Sequence, residues 1–146
     1  MTNPNEATAL GRALPISPKM SMVICSHLKG KTLTRAKALL KDVIDMKKPL
    51  SFKKFNKDLC HKPGTGPARY PLNASKHILS LLNSLQANAE HKGLNPEKII
   101  ISSAIANFAA RRWHSGRQRR TRIKSAHIQL TAQETTQEKK EQPKKQ

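Results

Sequence analysis

Residues 98–133 read KIIISSAIANFAARRWHSGRQRRTRIKSAHIQLTAQ, and this stretch decides the fold. It opens with Ile99, Ile100 and Ile101, a β-branched run that continues through Ile105. It ends with Ala126, Ile128 and Leu130 alternating with polar neighbours. Runs of this kind, separated by a break in pattern, read as two paired strands. Between them, residues 111–124 hold seven Lys or Arg and no acid. So charged a segment cannot bury enough apolar surface to form a core of its own. The strands are therefore expected to carry it outward as a β-hairpin arm over residues 98–133. A basic arm repels itself in water but fits a crevice lined by phosphates, where released counterions favour binding.

Working outward, the preceding segment is the best-defined helix in the chain. From about Asn73 to His91, Ala74, Ile78, Leu81, Leu82, Leu85 and Ala89 share one face, and Gly93 supplies the stop. Two further helices are expected earlier. Ser17-Pro18 is a helix start, because Ser17 can cap the free amides and Pro fits the first turn, where an amide hydrogen has no helical acceptor. Met20, Val23, Ile24, His27 and Leu28 follow at helical spacing as core residues, and Gly30 ends the run. Thr32 then caps a helix with Leu33, Ala36, Leu40, Val43 and Ile44 as its stripe, closed by Pro49.

Over residues 50–71 the periodicity disappears. Pro63, Gly64, Gly66, Pro67 and Pro71 stand among Lys53, Lys54, Lys57, Lys62 and Arg69, which reads as an irregular basic loop. A structureless segment of this length is unusual in a compact domain unless it has a task or is disordered; a solvated loop is the plain reading, and its length and charge favour contact with RNA over it. At the other end, residues 134–146 mix Lys and Glu without apolar residues and read as a disordered charged tail. The organisation expected is one domain over residues 1–133, followed by that tail.

Lys and Arg number 28 against 9 acids, a formal charge of +19. A folded protein of this size with such a charge needs a polyanion to neutralise it, and nucleic acid is the partner it implies. A membrane partner is not expected, since no apolar run approaches the roughly 20 residues that span a bilayer. Residues 1–9 lack the charged start and apolar stretch of a secretory signal, so a cytoplasmic setting is expected. Cys25 and Cys60 are the only cysteines and read as free thiols. With His27 and His61 they make a poor metal set beside paired CxxC motifs, so no metal and no cofactor is expected. Asp42, Asp45 and Asp58 are the only aspartates, and no catalytic set has a local signature. The chain does not read as an enzyme.

These residues together resemble the universal large-subunit ribosomal protein twenty-two family in its archaeal and eukaryotic form, over about residues 7–134. The likeness rests on Ile16-Ser17-Pro18-Lys19, Gly30-Lys31, Phe52-Lys53-Lys54-Phe55-Asn56 and His61-Lys62-Pro63-Gly64. It continues through Gly66-Pro67, Arg69-Tyr70-Pro71, Ala87-Asn88-Ala89-Glu90, Gly93-Leu94, Gly116-Arg117 and His127-Ile128, in that order and spacing. The resemblance implies an α+β fold, a small domain of three helices packed on a short antiparallel sheet, with a long projecting β-hairpin. It further implies a structural constituent of the large ribosomal subunit. The domain would sit on ribosomal RNA near the polypeptide exit tunnel and beside neighbouring ribosomal proteins. The arm would line the tunnel wall, along the nascent polypeptide, and support subunit assembly. In two respects the chain departs from the family pattern: the stretch between Ile101 and His127 is shorter, and no Met-Pro-Arg-Ala run follows Trp113.

Carried over by position, Arg111, Arg112, Trp113 and Arg117 fall at the arm tip, with Arg119, Arg120, Arg122 and Lys124 on the returning strand. Lys19, Lys53, Lys54, Lys62, Arg69 and Lys76 are further candidates for phosphate contact. Trp113 has two readings: it caps a small apolar cluster, or it stacks on an RNA base beside Arg112. The rival function is a DNA-binding regulator, with the first two helices as a helix-turn-helix across Gly30-Lys31. Against it, Asp42 and Asp45 sit on the helix that would have to read bases, and the arginines concentrate in the arm.

Overall fold

A computed structural model of the chain describes residues 5–134. The tail expected at residues 134–146 lies outside the described residues, apart from Glu134, which ends a strand. The elements in chain order are β1 (Glu6–Leu14), α1 (Pro18–Leu28), α2 (Leu33–Ile44), β2 (Leu50–Ser51), β3 (His61–Lys62) and β4 (Gly66–Arg69). They continue with α3 (Leu72–His91), β5 (Ile99–Phe108), a single 3₁₀ turn (Gly116–Gln118) and β6 (Ala126–Glu134). The fold is α+β, with two antiparallel three-stranded sheets, ordered β1-β6-β5 and β2-β4-β3.

In the larger sheet β6 is central, and its alternate residues Ala126, Ile128, Leu130 and Ala132 are fully buried. Full burial of each of the two large aliphatic side chains contributes about 1.5–3 kcal/mol. One face of the sheet is covered by helices: α3 packs on β1 and β6, and α1 on β5. The second helix, α2, lies mainly against α3 and reaches β5 only at its margin. Thr32 caps α2 by accepting from the Arg35 amide at 3.4 Å, as its position before the apolar stripe implies. The Ser17 side chain, expected to cap α1, accepts no amide there, and only Pro18 at the first turn marks that start.

The strand β5 does not alternate evenly. Ile101 pairs with Ala132 and Ser103 with Thr131, so Ser102 is an inserted residue whose hydroxyl donates to the Thr131 carbonyl at 3.2 Å. Such a bulge reverses the inward and outward faces beyond it. An unbroken strand would have turned Ile105 to the side of Ile99 and Ile101. Instead Ala106 is buried and Ile105 is exposed.

Two elements differ from the expectation. The strand β1 has no counterpart in the sequence reading, because its inward positions are Ala7, Ala9 and Gly11, which carry little strand preference. Small residues are required there by the close approach of α3. A Cβ added to Gly11 would lie 2.8 Å from the Leu81 Cδ1 and 2.8 Å from the Leu14 Cδ1. The helix also covers part of the free edge of β1, where Asn88 Nδ2 donates to the Thr8 carbonyl at 2.8 Å and Lys92 Nζ to that of Glu6 at 2.6 Å.

Residues 50–71, expected to be irregular, form the small sheet instead. Its strands span two to four residues, too short for periodicity to register. Phe52 anchors it to the main core: the side chain is fully buried, and its amide donates to the Pro67 carbonyl at 2.9 Å. Cys25 is buried in the same core and Cys60 is exposed, both as free thiols. Burial pushes the Cys25 thiol up to about 12.

The turn between α1 and α2 is part of the sheet architecture. Gly30, at φ 77°, donates its amide to the Ile101 carbonyl at 2.9 Å, and Ile101 donates back to Lys31 at 3.0 Å. Thr32 and Ile100 form a further antiparallel bridge. Glycine takes this left-handed backbone without the Cβ penalty.

Candidate nucleic-acid interface

The arm begins where β5 and β6 leave the helices. Regular pairing ends at Phe108 and Ala126, but cross-strand bonds continue beyond it. The Ala109 amide donates to Ser125 at 3.2 Å, Ile123 to Arg112 at 2.8 Å, and His114 to Thr121 at 3.0 Å. Trp113 and Arg122 form a bridge, and the 3₁₀ turn at Gly116–Gln118 closes the tip. Residues 109–125 thus fold back as an irregular hairpin held mostly by backbone.

Along this hairpin Arg111, Arg112, Arg117, Arg119, Arg120, Arg122 and Lys124 are all exposed. None has an acidic partner among the described residues, and the ion pair Lys47–Asp45 belongs to the turn after α2. Trp113 remains 58% exposed, so it caps no apolar cluster. The Arg122 guanidinium lies 4.3 Å from its ring centroid, a cation–π stack across the hairpin.

At the root of the arm lies an open cleft of about 600 Å³. It is lined by Lys19 from the first turn of α1, Arg69 from β4, and Arg111 and Lys124 from the two limbs of the arm. Four of the basic residues singled out from sequence, far apart in the chain, thus meet at one place. Lys57 adds a fifth cation and Asp58 the lone acid of the lining. Phe55 and Phe108 form apolar walls, 45% and 57% exposed. Lys19 Nζ sits 5.5 Å from the Phe55 ring centroid, and Arg69 Nη2 donates to the Asp58 carbonyl at 3.1 Å, bracing the 56–59 segment.

The other candidates are not gathered there. Lys53 and Lys54 are exposed on the segment leading to Phe55, and Lys76 is exposed on the first turns of α3. Lys62 on β3 lines a second, shallower groove with Met46, Cys60 and Tyr70. Sequence reasoning passed over Lys57, Phe55 and Phe108 as site residues. The signal for Phe55 was the interleaving of aromatic and basic residues in Phe52-Lys53-Lys54-Phe55. Phe108 had none beyond its place before the arginines.

Among the described residues no group of three or more His, Cys, Asp or Glu could hold a metal ion. No helix among the described residues is long and apolar enough to cross a membrane. Lys37 is held below the usual lysine range, chiefly by burial, with Glu90 opposing and Lys41 adding to the effect. It bonds Gln86 between α2 and α3 and lies outside the cleft.

The helix pair α1–α2 lacks the mutual packing of a helix-turn-helix, since α2 rests on α3 and the intervening turn is bonded to β5. The family model described as ribosomal protein L22p/L17e matches residues 9–133. The chain belongs to the ribosomal protein L22p/L17e family. The large ribosomal subunit protein uL22 of Methanoculleus marisnigri is 44% identical over 106 residues, covering 70% of this chain and 69% of that protein. That of Methanococcus maripaludis is 40% identical over 138 residues, 89% of this chain and 90% of its own length. The uL22 of Methanocaldococcus jannaschii is 43% identical over 109 residues, 72% and 70% of the two chains. The L22p/L17e match runs from within β1 to within β6 and so includes the residues that line the cleft and form the hairpin.

Proposed function

We propose that this member of the L22p/L17e family is a structural, non-catalytic constituent of the large ribosomal subunit in the cytoplasm, binding ribosomal RNA through the cleft and the arm. The observation that carries the reading is the convergence of Lys19, Arg69, Arg111 and Lys124 on one cleft at the root of an arm whose cations have no acidic partner among the described residues. Such a surface is costly for a free protein and is relieved by phosphates, whose condensed counterions are released on binding. The globular part docks on RNA folds near the polypeptide exit tunnel and touches neighbouring ribosomal proteins. The narrow, backbone-paired arm threads inward along the tunnel wall, within reach of the nascent polypeptide, and its contacts support assembly.

Sedimentation of a cell extract tests the reading. The chain should travel with large subunits and stay there at moderate salt. Recovery in the ribosome-free fraction, or on chromosomal DNA, would overturn it.

A further inference from the structure

We infer that the cleft at the arm root holds one unstacked nucleotide of the bound RNA, its base against Phe55 and Phe108 and its phosphates on the cationic rim. This deepens the RNA-binding reading and rests on it. A duplex presents only its phosphate backbone and groove edges, so a surface reading duplex alone would have no use for apolar walls. Here two aromatic side chains from separate segments, Phe55 and Phe108, line one cleft and stand substantially exposed, and neither belongs to the buried core.

The cleft volume of about 600 Å³ falls within the roughly 300–1,000 Å³ of small-ligand sites. Aromatic walls with a basic rim are the chemistry by which proteins hold a splayed base: every base has a π-face, and the adjoining phosphates need cations.

A second observation is independent of the lining. Phe55 has φ 58°, in the left-handed region that a bulky side chain rarely adopts. Strain of this kind persists where the surroundings fix it, and it gathers at ligand sites. The segment that follows is braced by the Arg69–Asp58 bond, and the Lys19 ammonium lies near the Phe55 ring. The Phe55 ring is thus presented at the cleft. Lys19, Arg111 and Lys124 share the lining with the two rings, within the same cleft as the phosphates that flank an extruded base.

The test uses the full chain at low salt, where its charge ensures binding to RNA hairpins whatever their sequence. Two probes are compared: a hairpin carrying 2-aminopurine as a single-nucleotide bulge, and the same hairpin fully paired. Wild type should bind the bulged probe more tightly and quench its fluorescence. Phe55→Ala should lose the quenching and about 5- to 150-fold of the affinity for the bulged probe, as loss of base–aromatic stacking does. Its affinity for the paired probe should be unchanged. Phe55→Tyr should behave as wild type, and Phe108→Ala should reproduce the Phe55→Ala loss from the other wall. Circular dichroism should show both alanine variants folded, since neither side chain is buried. Equal binding of the two probes, or an equal loss on both, would overturn the nucleotide site while leaving RNA binding in place. Failure of wild type to bind either probe would overturn the RNA reading itself.

Discussion

Replacing Arg112, Arg117, Arg119 and Arg120 together with alanine separates the work of the arm from the integrity of the fold. All four side chains are exposed and make no hydrogen bond, ion pair or ring contact among the described residues. The change lowers the formal charge by four from +19. Surface substitutions of this kind shift stability by no more than about 0.5 kcal/mol, so urea unfolding should be unchanged within error. Binding should not be. Each phosphate contact contributes about 0.7–0.9 to the slope of log affinity against log salt, so four lost contacts lower that slope by about 3 units. Over a fourfold rise in salt, the advantage of wild type over the variant should then shrink by roughly 60-fold. The assay is a titration of large-subunit RNA with both proteins at four or five salt concentrations, run beside the unfolding curves. Identical slopes would mean that these arginines are a solvated face. Loss of the fold would mean that the segment is core and not arm.

Gly11→Val should destabilise the domain by about 1–3 kcal/mol in urea unfolding, because its Cβ would crowd Leu81 and Leu14; a neutral result would mean that α3 can retreat freely from β1. Phe52→Ala should cost about 3–5 kcal/mol by the same measurement, since it empties the largest of the side chains, Leu50 and Phe52, that tie the small sheet to the main core. A thiol reagent at pH 8 should label Cys60 quickly and Cys25 only after unfolding. Cys25 also makes stability depend on alkaline pH. The unfolded thiol loses its proton near 9.0 and the folded one near about 12, so its contribution is complete below 9.0 and falls as pH rises through that interval. The melting temperature of Cys25→Ala should therefore decline less steeply than that of wild type between pH 9 and 11, and parallel declines would refute the assignment.

How much was legible in the sequence depended on the length of each element and the size of its side chains. The helices α1, α2 and α3 announced themselves through aliphatic stripes of three or more turns and through Ser17-Pro18, Thr32 and Gly93 at their ends. The strands β5 and β6 were visible in their isoleucines. By contrast β1 was hidden because what it needs is smallness, and Ala and Gly are equally at home in helices and turns. The small sheet was hidden because its strands are held by Leu50, Phe52 and a few backbone bonds. Of the site, the arm cations were readable as an acid-free run. The cleft was not, because it exists only where residues 19, 55, 69, 108, 111 and 124 meet, and nothing local in the sequence records that meeting. The positive φ of Phe55 is equally invisible in a one-letter code.

The register of the larger sheet sets the order in which the molecule can be finished as it is made. Its central strand pairs Glu6 with Gln133 on one side and Ile99 with Glu134 on the other, so β6 is the partner of both neighbours. Emerging from its own ribosome in sequence order, β1 waits while all three helices and β5 are synthesised before it has anything to pair with. Pairings so distant along the chain are slow to form, since the loop must close before the contacts reward it. The edge of β1 is unpaired through that interval, and from the synthesis of β5 until β6 is complete a second strand edge and a long cationic segment are exposed to a cell full of RNA. A newly made chain of this design gains from an escort that shields both hazards until β6 is complete, and its sheet closes only as a last act.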